Sequence, residues 1–251
     1  MSGLLDGKVA VITGAASGMG RAFAVAFAKE GAKAIVVADV IEEPREGGET
    51  TVELVEAAGA SAVFVRTDVT KPADLAAAVA ATEPFGGLDI LVNNAGIFRN
   101  KPIAEVTEAD YDLLLGINLK GTYFGAQAAA KAFAAQGRGG VILNMSSVAG
   151  IQGNAGFSLY NSSKGGVRLL SYSLAEELGP LGVRVVAIHP GTIETTMTTT
   201  DVPVIDLATT PLGRNGQPDE VARTAVFLAS DQASFISGTS VVVDGGLTRV
   251  M

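Results

Sequence analysis

Seven short apolar runs recur along the chain, at Val9 to Thr13, Ala34 to Asp39, Ala62 to Thr67, Leu88 to Asn93, Val141 to Met145, Val183 to His189 and Ser240 to Val243. A strand with one wet face alternates apolar and polar residues, so near-continuous runs like these are expected to be strands buried on both faces. Between them lie helical patterns, around Met19 to Lys29, Pro44 to Ala58, Pro72 to Ala80, Glu108 to Ala135, Phe157 to Leu178 and Pro218 to Ala229. Strands separated by helices must cross over to pair in parallel, and right-handed crossovers place helices on both faces. The expected fold is α/β, a doubly wound, seven-stranded parallel sheet with helices on both faces.

No Pro/Gly/Ser-rich linker or charge block interrupts the alternation, so residues 1–251 read as a single domain. The balance of 48% hydrophobic to 18% charged residues suits a sheet covered on both sides. A net charge of -8 repels phosphate backbones and anionic lipid, which argues against nucleic acid or a membrane surface as partner. The absence of cysteine excludes disulfides, thiolate metal sites and a cysteine nucleophile. With one histidine and no H-E-x-x-H, no metal site is expected. The first residues lack a charged leader before an apolar run and no segment is long and apolar enough to span a bilayer, so the expected location is cytoplasmic. The two longest helices carry small apolar residues around much of their circumference, such as Ala126, Ala128, Ala129, Ala130 and Ala132. A helix apolar on more than one face needs two partners, which points to a homo-oligomer.

The first strand runs into Thr13-Gly14-Ala15-Ala16-Ser17-Gly18-Met19-Gly20 and then into an Ala/Phe helix. Glycines there let the backbone turn tightly against a pyrophosphate, whose charge a helix N-terminus accepts. The second strand ends at Asp39, nineteen residues after Gly20, close to the ~20 at which an acid accepts the adenine-ribose hydroxyls. An acid there repels the 2′-phosphate of NADP, and no Arg or Lys at positions 13–20 or 40–43 offsets it, so NAD(H) is the expected cofactor. Asp68, ending the third strand, would accept from the adenine or cap the turn before Lys71-Pro72. Asn93-Asn94-Ala95-Gly96 after the fourth strand is small enough to pass close to a ligand.

Tyr160 and Lys164 stand four residues apart, one turn of a helix, with Ser147 thirteen positions upstream. A phenol ionises near pH ~10, and a neighbouring ammonium favours the phenolate and lowers that value. The Ser147 hydroxyl is then placed to hold a substrate oxygen while Tyr160 exchanges a proton with it.

Taken in order, Thr13-Gly14-x-x-x-Gly18-x-Gly20, Asn93-Asn94-Ala95-Gly96, Asn118, Ser147, Tyr160-x-x-x-Lys164 and Pro190-Gly191 resemble the short-chain dehydrogenase/reductase family over nearly the whole length. Ser162, where Ala is more usual, and Met145 before the Ser pair are small departures that touch no functional atom. The resemblance implies a Rossmann fold and a homotetramer. It makes Tyr160 the general acid/base, Ser147 the residue that orients the substrate oxygen, and Lys164 a ligand of the nicotinamide ribose that also lowers the Tyr160 pKa. Asn118 would hold a water linking Lys164 to solvent. The cofactor would touch Gly14, Ser17, Gly18, Met19, Gly20, Asp39, Asp68, Val69, Asn94, Ala95 and Gly96, besides Tyr160 and Lys164. Pro190-Gly191-Thr192-Ile193-Glu194-Thr195 resembles the family's nicotinamide clamp, with the Ile193 backbone and the Thr195 hydroxyl on the carboxamide. A substrate-covering loop is expected at about 195–217, with specificity there and near Phe98, Arg99, Gln152, Asn154 and Phe157.

The function expected is an NAD(H)-dependent oxidoreductase acting on a neutral, partly polar secondary alcohol or ketone. Two alternatives stand beside it. One is an NADPH-dependent ketoreductase of 3-oxoacyl or other carbonyl substrates; the other is a non-catalytic NAD(H)-binding regulator, which would not need Ser147, Tyr160 and Lys164 together. A serine hydrolase is excluded by the lack of G-x-S-x-G, and His189, at the end of an apolar strand, reads as a packed residue.

Overall fold

The computed structural model describes residues 3–197 and 210–248. Its seven strands are β1 (Val9–Thr13), β2 (Ala34–Asp39), β3 (Ser61–Arg66), β4 (Ile90–Asn93), β5 (Gly140–Met145), β6 (Val183–Pro190) and β7 (Thr239–Val243). They form one sheet in the order β3-β2-β1-β4-β5-β6-β7, every pair parallel. The order reverses between β1 and β4, and the crevice outside the carboxyl ends of strands at such a reversal is where ligands bind.

The helices are α1 (Gly18–Lys29), α2 (Thr51–Ala57), α3 (Pro72–Ala80), α4 (Glu108–Leu115), α5 (Gly121–Gln136), α6 (Ser158–Leu178) and α7 (Pro218–Ala229). Phe23 and Phe27 of α1 and Val221 and Ala225 of α7 pack on one face of the sheet with Ile12, Ile35 and Leu143. Ala78 of α3, Ala126, Ala129 and Phe133 of α5 and Leu178 of α6 pack on the other with Val11, Val36 and Ile142. The doubly wound expectation is met.

Three expectations need correction. Burial of all seven strands on both faces fails at β3 and β7, where every residue is at least partly exposed. Each is an edge strand with one neighbour, and apolar patterning does not reveal which strands lie at the edges. The helix expected from Pro44 begins instead at Thr51, because Gly47 (φ 75°) and Gly48 (φ 84°) turn the chain out of helical conformation. The Thr50 side chain and Glu53 form the capping box that starts it. The long helix expected from Glu108 to Ala135 is α4 and α5 joined through a π-helical turn at Gly116–Lys120. Such turns concentrate at functional positions, and this one carries Asn118. Helix α5 then lies hard against β4: a Cβ on Gly125 would stand 2.3 Å from Asn93 Oδ1.

A buried polar chain crosses the same face. Asn93 Nδ2 donates to the Thr122 carbonyl at 3.3 Å and to Asn144 Oδ1 at 2.9 Å. Asn144 Nδ2 donates to Ser171 Oγ at 3.0 Å, and that hydroxyl donates to the Val167 carbonyl at 2.8 Å. It fixes α5 and α6 against the carboxyl ends of β4 and β5, from which the site residues project.

Candidate active site

The glycine loop joins β1 to α1. Gly14 (φ 65°) and Gly18 (φ 55°) adopt left-handed backbone that side chains resist. A Cβ on Gly20 would stand 2.0 Å from the Gly14 carbonyl oxygen, so only glycine allows so close an approach. Thr13 Oγ1 accepts from the Asn94 and Ala95 amides, both at 3.0 Å, and Asn94 Nδ2 donates to the Thr13 and Gly14 carbonyls at 2.9 and 3.2 Å. The loops on the two sides of the reversal are thereby tied into one floor.

At the end of β2, Asp39 accepts from the Ala16 amide at 3.0 Å and the Val40 amide at 2.7 Å. Each carboxylate oxygen keeps a lone pair for a ligand hydroxyl. Asp68 accepts from the Thr70 amide at 3.0 Å and the Thr70 hydroxyl at 2.7 Å, with Lys71 at 3.3 Å. The Thr70 hydroxyl is the main cause holding its carboxyl below the usual range. Turn capping therefore accounts for its hydrogen bonds, although it also lines the cavity.

That cavity, about 240 Å³, runs from Asp39, Asp68 and Val69 past Ser17, Gly18 and Met19 and past Asn94, Ala95 and Gly96 to Tyr160, Lys164 and Thr195. It has the acid Asp39 at one end, the glycine loop and the N-terminus of α1 along its wall, and the Tyr160 and Lys164 side chains at the other end. These residues fit a nicotinamide dinucleotide. Thr195 closes over the loop, its methyl 3.5 Å from where a Cβ on Gly18 would stand. Pro190, Gly191 and Ile193 are not part of this wall: Gly191 packs on Asp244, and Ile193, 5% exposed, bridges to Gly216. Gly20 sits behind the loop.

At the Tyr160 end the Ser147 hydroxyl accepts from the Ala149 amide at 3.1 Å and lies near enough to the Tyr160 hydroxyl to lower its pKa. The Tyr160 ring is held edge-on to Phe98 at 5.0 Å, and Phe98 edge-on to Phe157 at 4.9 Å. Lys164 is 5% exposed; its Nζ lies 5.8 Å from the Tyr160 ring centroid and donates to the Met145 carbonyl at 2.8 Å. Burial pushes the Tyr160 phenol up to about 12, partly offset by the Ser147 side chain, and pushes the Lys164 ammonium down to about 8. The lowering of the phenol expected from its lysine neighbour is thus outweighed in the protein alone by desolvation at both groups.

Asn118 is fully buried. Its Oδ1 accepts from the Ile97 amide at 2.8 Å, and its Nδ2 donates to the Ile97 carbonyl at 2.9 Å and Ser163 Oγ at 3.2 Å. Ser163 Oγ in turn donates to the Tyr160 carbonyl at 2.8 Å. The amide therefore locks the loop after β4 to the turn of α6 between Tyr160 and Lys164.

Two neighbours of the cofactor end escaped the sequence reading. Arg45 lines the cavity near Asp39, two positions beyond the 40–43 stretch that lacks Arg and Lys, because its amide donates to Ser17 Oγ at 2.8 Å and folds the β2–α2 loop inward. Glu46 Oε1 accepts from the Gly18 amide at 2.9 Å, on the loop that would bind the diphosphate. The Ser17-to-Arg45 contact is long-range, and no local pattern signals it.

A glycine loop, a strand-end acid and a Ser/Tyr/Lys group on one edge of a parallel sheet define a dinucleotide-dependent oxidoreductase. The chain belongs to the short-chain dehydrogenase/reductase family, whose dehydrogenases use a nicotinamide cofactor, NAD or NADP. The matching family model, described as enoyl-(acyl carrier protein) reductase, covers residues 14–248. The chain is 43% identical over 247 residues to the 3-alpha-(or 20-beta)-hydroxysteroid dehydrogenase of Mycobacterium bovis, covering 98% of this chain and 91% of that protein. It is 40% identical over 253 residues to the L-rhamnose 1-dehydrogenase (NAD(P)(+)) of Azotobacter vinelandii, covering 97% of this chain and 98% of that one. A crystal structure of a putative short-chain alcohol dehydrogenase from Sinorhizobium meliloti superposes with a TM-score of 0.91 at 37% identity, covering 98% of both chains.

Proposed function

We propose that the protein is an NAD(H)-dependent oxidoreductase of secondary alcohols and their ketones, with Tyr160 as general acid/base. The observation that carries this reading is the placing of Tyr160 and Lys164 at one end of a cavity whose other end holds Asp39, with the Ser147 side chain near enough to the Tyr160 hydroxyl to lower its pKa. Bound cofactor supplies or accepts the hydride. Ser147 holds the substrate oxygen, and Tyr160, protonated at neutral pH, donates to that oxygen as a ketone is reduced. In the oxidative direction the phenol must first lose its proton, which positive charge nearby, including the Lys164 ammonium, favours. Asn118 has both Nδ2 donors engaged, so a proton-relay water would donate to its Oδ1 or its main-chain carbonyl oxygen, each of which accepts one bond, from the Ile97 amide and from Thr122 Oγ1 at 2.8 Å, and keeps a lone pair.

Phe98, packed edge-on between Tyr160 and Phe157, makes the surroundings of the Tyr160 ring apolar, and Gln152 Nε2 is committed to the Thr248 carbonyl at 2.8 Å. A neutral substrate with an apolar face fits that surface. The loop at 195–217 is proposed to cover it as part of a single catalytic domain; positions 198–209, with Thr198, Thr199, Thr200, Asp201 and Asp206, lie outside the described residues. Tyr111, Leu113, Tyr123 and Leu169 leave roughly half or more of their surface exposed on α4, α5 and α6, which supports a homo-oligomer, with a tetramer as the family-based assignment. No helix among the described residues is long and apolar enough to cross a membrane; a cytoplasmic location is proposed with the rest.

One observation favours a second reading with NADP(H) and a ketoreductase role: Arg45 brings a positive group to the Asp39 end. The test is turnover with NAD(H) and NADP(H) over simple secondary alcohols and ketones, a 3α-hydroxysteroid and L-rhamnose. NAD(H) is expected to be preferred, with Asp39→Ala narrowing that preference. Tighter NADP(H) binding by the wild type refutes the cofactor assignment.

A further inference from the structure

His189, the sole histidine, is fully buried near the end of β6. It touches the reactive centre from behind. Its Nδ1 lies 2.7 Å from the Ser147 carbonyl oxygen and its Nε2 lies 2.8 Å from Ser240 Oγ on β7. Ser240 Oγ lies 2.6 Å from the Tyr172 hydroxyl, to which Arg168 Nε donates at 3.1 Å.

The chemistry at the two ends orients every bond in this chain. A carbonyl only accepts, so Nδ1 carries the proton; a neutral imidazole then has a bare Nε2, which must accept from the Ser240 hydroxyl. Arg168 only donates, so the Tyr172 hydroxyl accepts from it and donates to Ser240. Donation thus runs one way, from Arg168 through Tyr172, Ser240 and His189 to the Ser147 peptide. Burial lowers the His189 pKa, in keeping with a neutral ring.

The sheet explains why a side chain is needed there. The β5–β6 ladder continues past β5 with the Ser146 amide donating to the Ile188 carbonyl at 2.8 Å, but the next donor on β6 would be Pro190, which has no N–H. Backbone pairing stops one residue short of Ser147. Ser147 itself is extended (φ -169°) and caps the 3-10 turn Val148–Gly150, whose Gly150 amide donates to the Ser147 carbonyl at 2.8 Å; His189 supplies the second donor to that oxygen and is the one that comes from the sheet.

We infer that His189 is a positioning residue for the reaction: it clamps the Ser147 peptide so that the Ser147 hydroxyl faces Tyr160, and Ser240, Tyr172 and Arg168 fix its tautomer. This rests on the assignment of Ser147 and Tyr160 to the reaction. Misplacing a group that orients the reacting oxygen lowers kcat without weakening cofactor binding. His189→Leu is expected to lower kcat about 10- to 100-fold with NADH affinity unchanged. His189→Asn, whose amide nitrogen can stand near the place of Nδ1, is expected to restore most of the loss.

The decisive experiment is a double-mutant cycle on whichever alcohol or ketone of the panel is turned over. In a Ser147→Ala background, His189→Leu is expected to cost less than about twofold, since the group it positions is gone. Equal losses in both backgrounds would mean a general structural role and overturn the inference. If Ser147→Ala is as active as wild type, the assignment of the site fails first, and the role of His189 with it. Should His189→Leu not fold, Ser240→Ala takes its place in the cycle. A readout independent of turnover is available because the chain has one imidazole: its 15N spectrum is expected to show Nδ1 protonated and Nε2 bare, and the opposite tautomer overturns the inference.

Discussion

Replacing Lys164 with methionine should make the protein lose activity and change how its stability depends on pH. The side chain is 5% exposed, and burial alone lowers its pKa from 10.5 to about 8. Between those values the unfolded chain holds a proton that the folded chain does not, so this site's contribution to stability rises with pH through the window. With one pKa unit worth about 1.4 kcal/mol, wild type should gain about 2.5 kcal/mol on Lys164→Met between pH 7 and pH 10. Losing the bond to the Met145 carbonyl costs Lys164→Met a further ~1–3 kcal/mol at every pH, so the slope, not the value at one pH, carries the information. Urea midpoints of both proteins at pH 7, 8, 9 and 10, at one protein concentration, measure it. Other groups titrate in both proteins and cancel. A difference that stays constant across that range would show that Lys164 keeps an ordinary ammonium in the folded protein.

Two other substitutions separate binding from packing. Glu46→Ala frees the Gly18 amide and removes a negative charge from the diphosphate position, so NADH should bind several-fold and up to about tenfold more tightly by fluorescence titration; unchanged or weaker binding counts against a competing contact. Asn144→Ala cuts the buried chain from Asn93 to Ser171 and should destabilise the fold by about 2–3 kcal/mol in denaturant melts while leaving the cofactor cavity's lining intact. A melt unchanged within about 0.5 kcal/mol would mean that water takes over those partners.

Much of this architecture was legible because it is local. The apolar runs located all seven strands to within one or two residues, and the helical patterns between them fixed the parallel, doubly wound class. The Gly14 to Gly20 loop was readable because its backbone, left-handed at Gly14 and Gly18 and too close to Gly14 at Gly20, needs glycine, and Asp39 because it stands at a strand end. What escaped depends on neighbours. Edge strands β3 and β7 have the same composition as central ones, and the 108–136 stretch keeps its helical pattern straight through the π turn that presents Asn118. Thr50 and Glu53 did announce the start of α2, but Pro44 offered an earlier start that Gly47 and Gly48 defeat. The sequence allows Asp68 a ligand role or a turn role, and its bonds to Thr70 go to the turn. His189 read correctly as packed, yet its link to Ser147 exists only because β6 lies beside β5 and β7. Arg45 and Glu46 reach the cofactor loop through a fold-back of nearly thirty positions that no periodicity encodes.

In the proposed reaction Tyr160 moves the proton that accompanies the hydride. Steady-state turnover of Tyr160→Phe beside wild type, on the best substrate and with NADH affinity measured on the same samples, tests it most directly. The expected result is a fall in kcat of about a thousandfold or more, with NADH binding unchanged within a few-fold, because the phenyl ring keeps its packing on Phe98 and loses only the hydroxyl. Turnover by Tyr160→Phe close to that of wild type would contradict it.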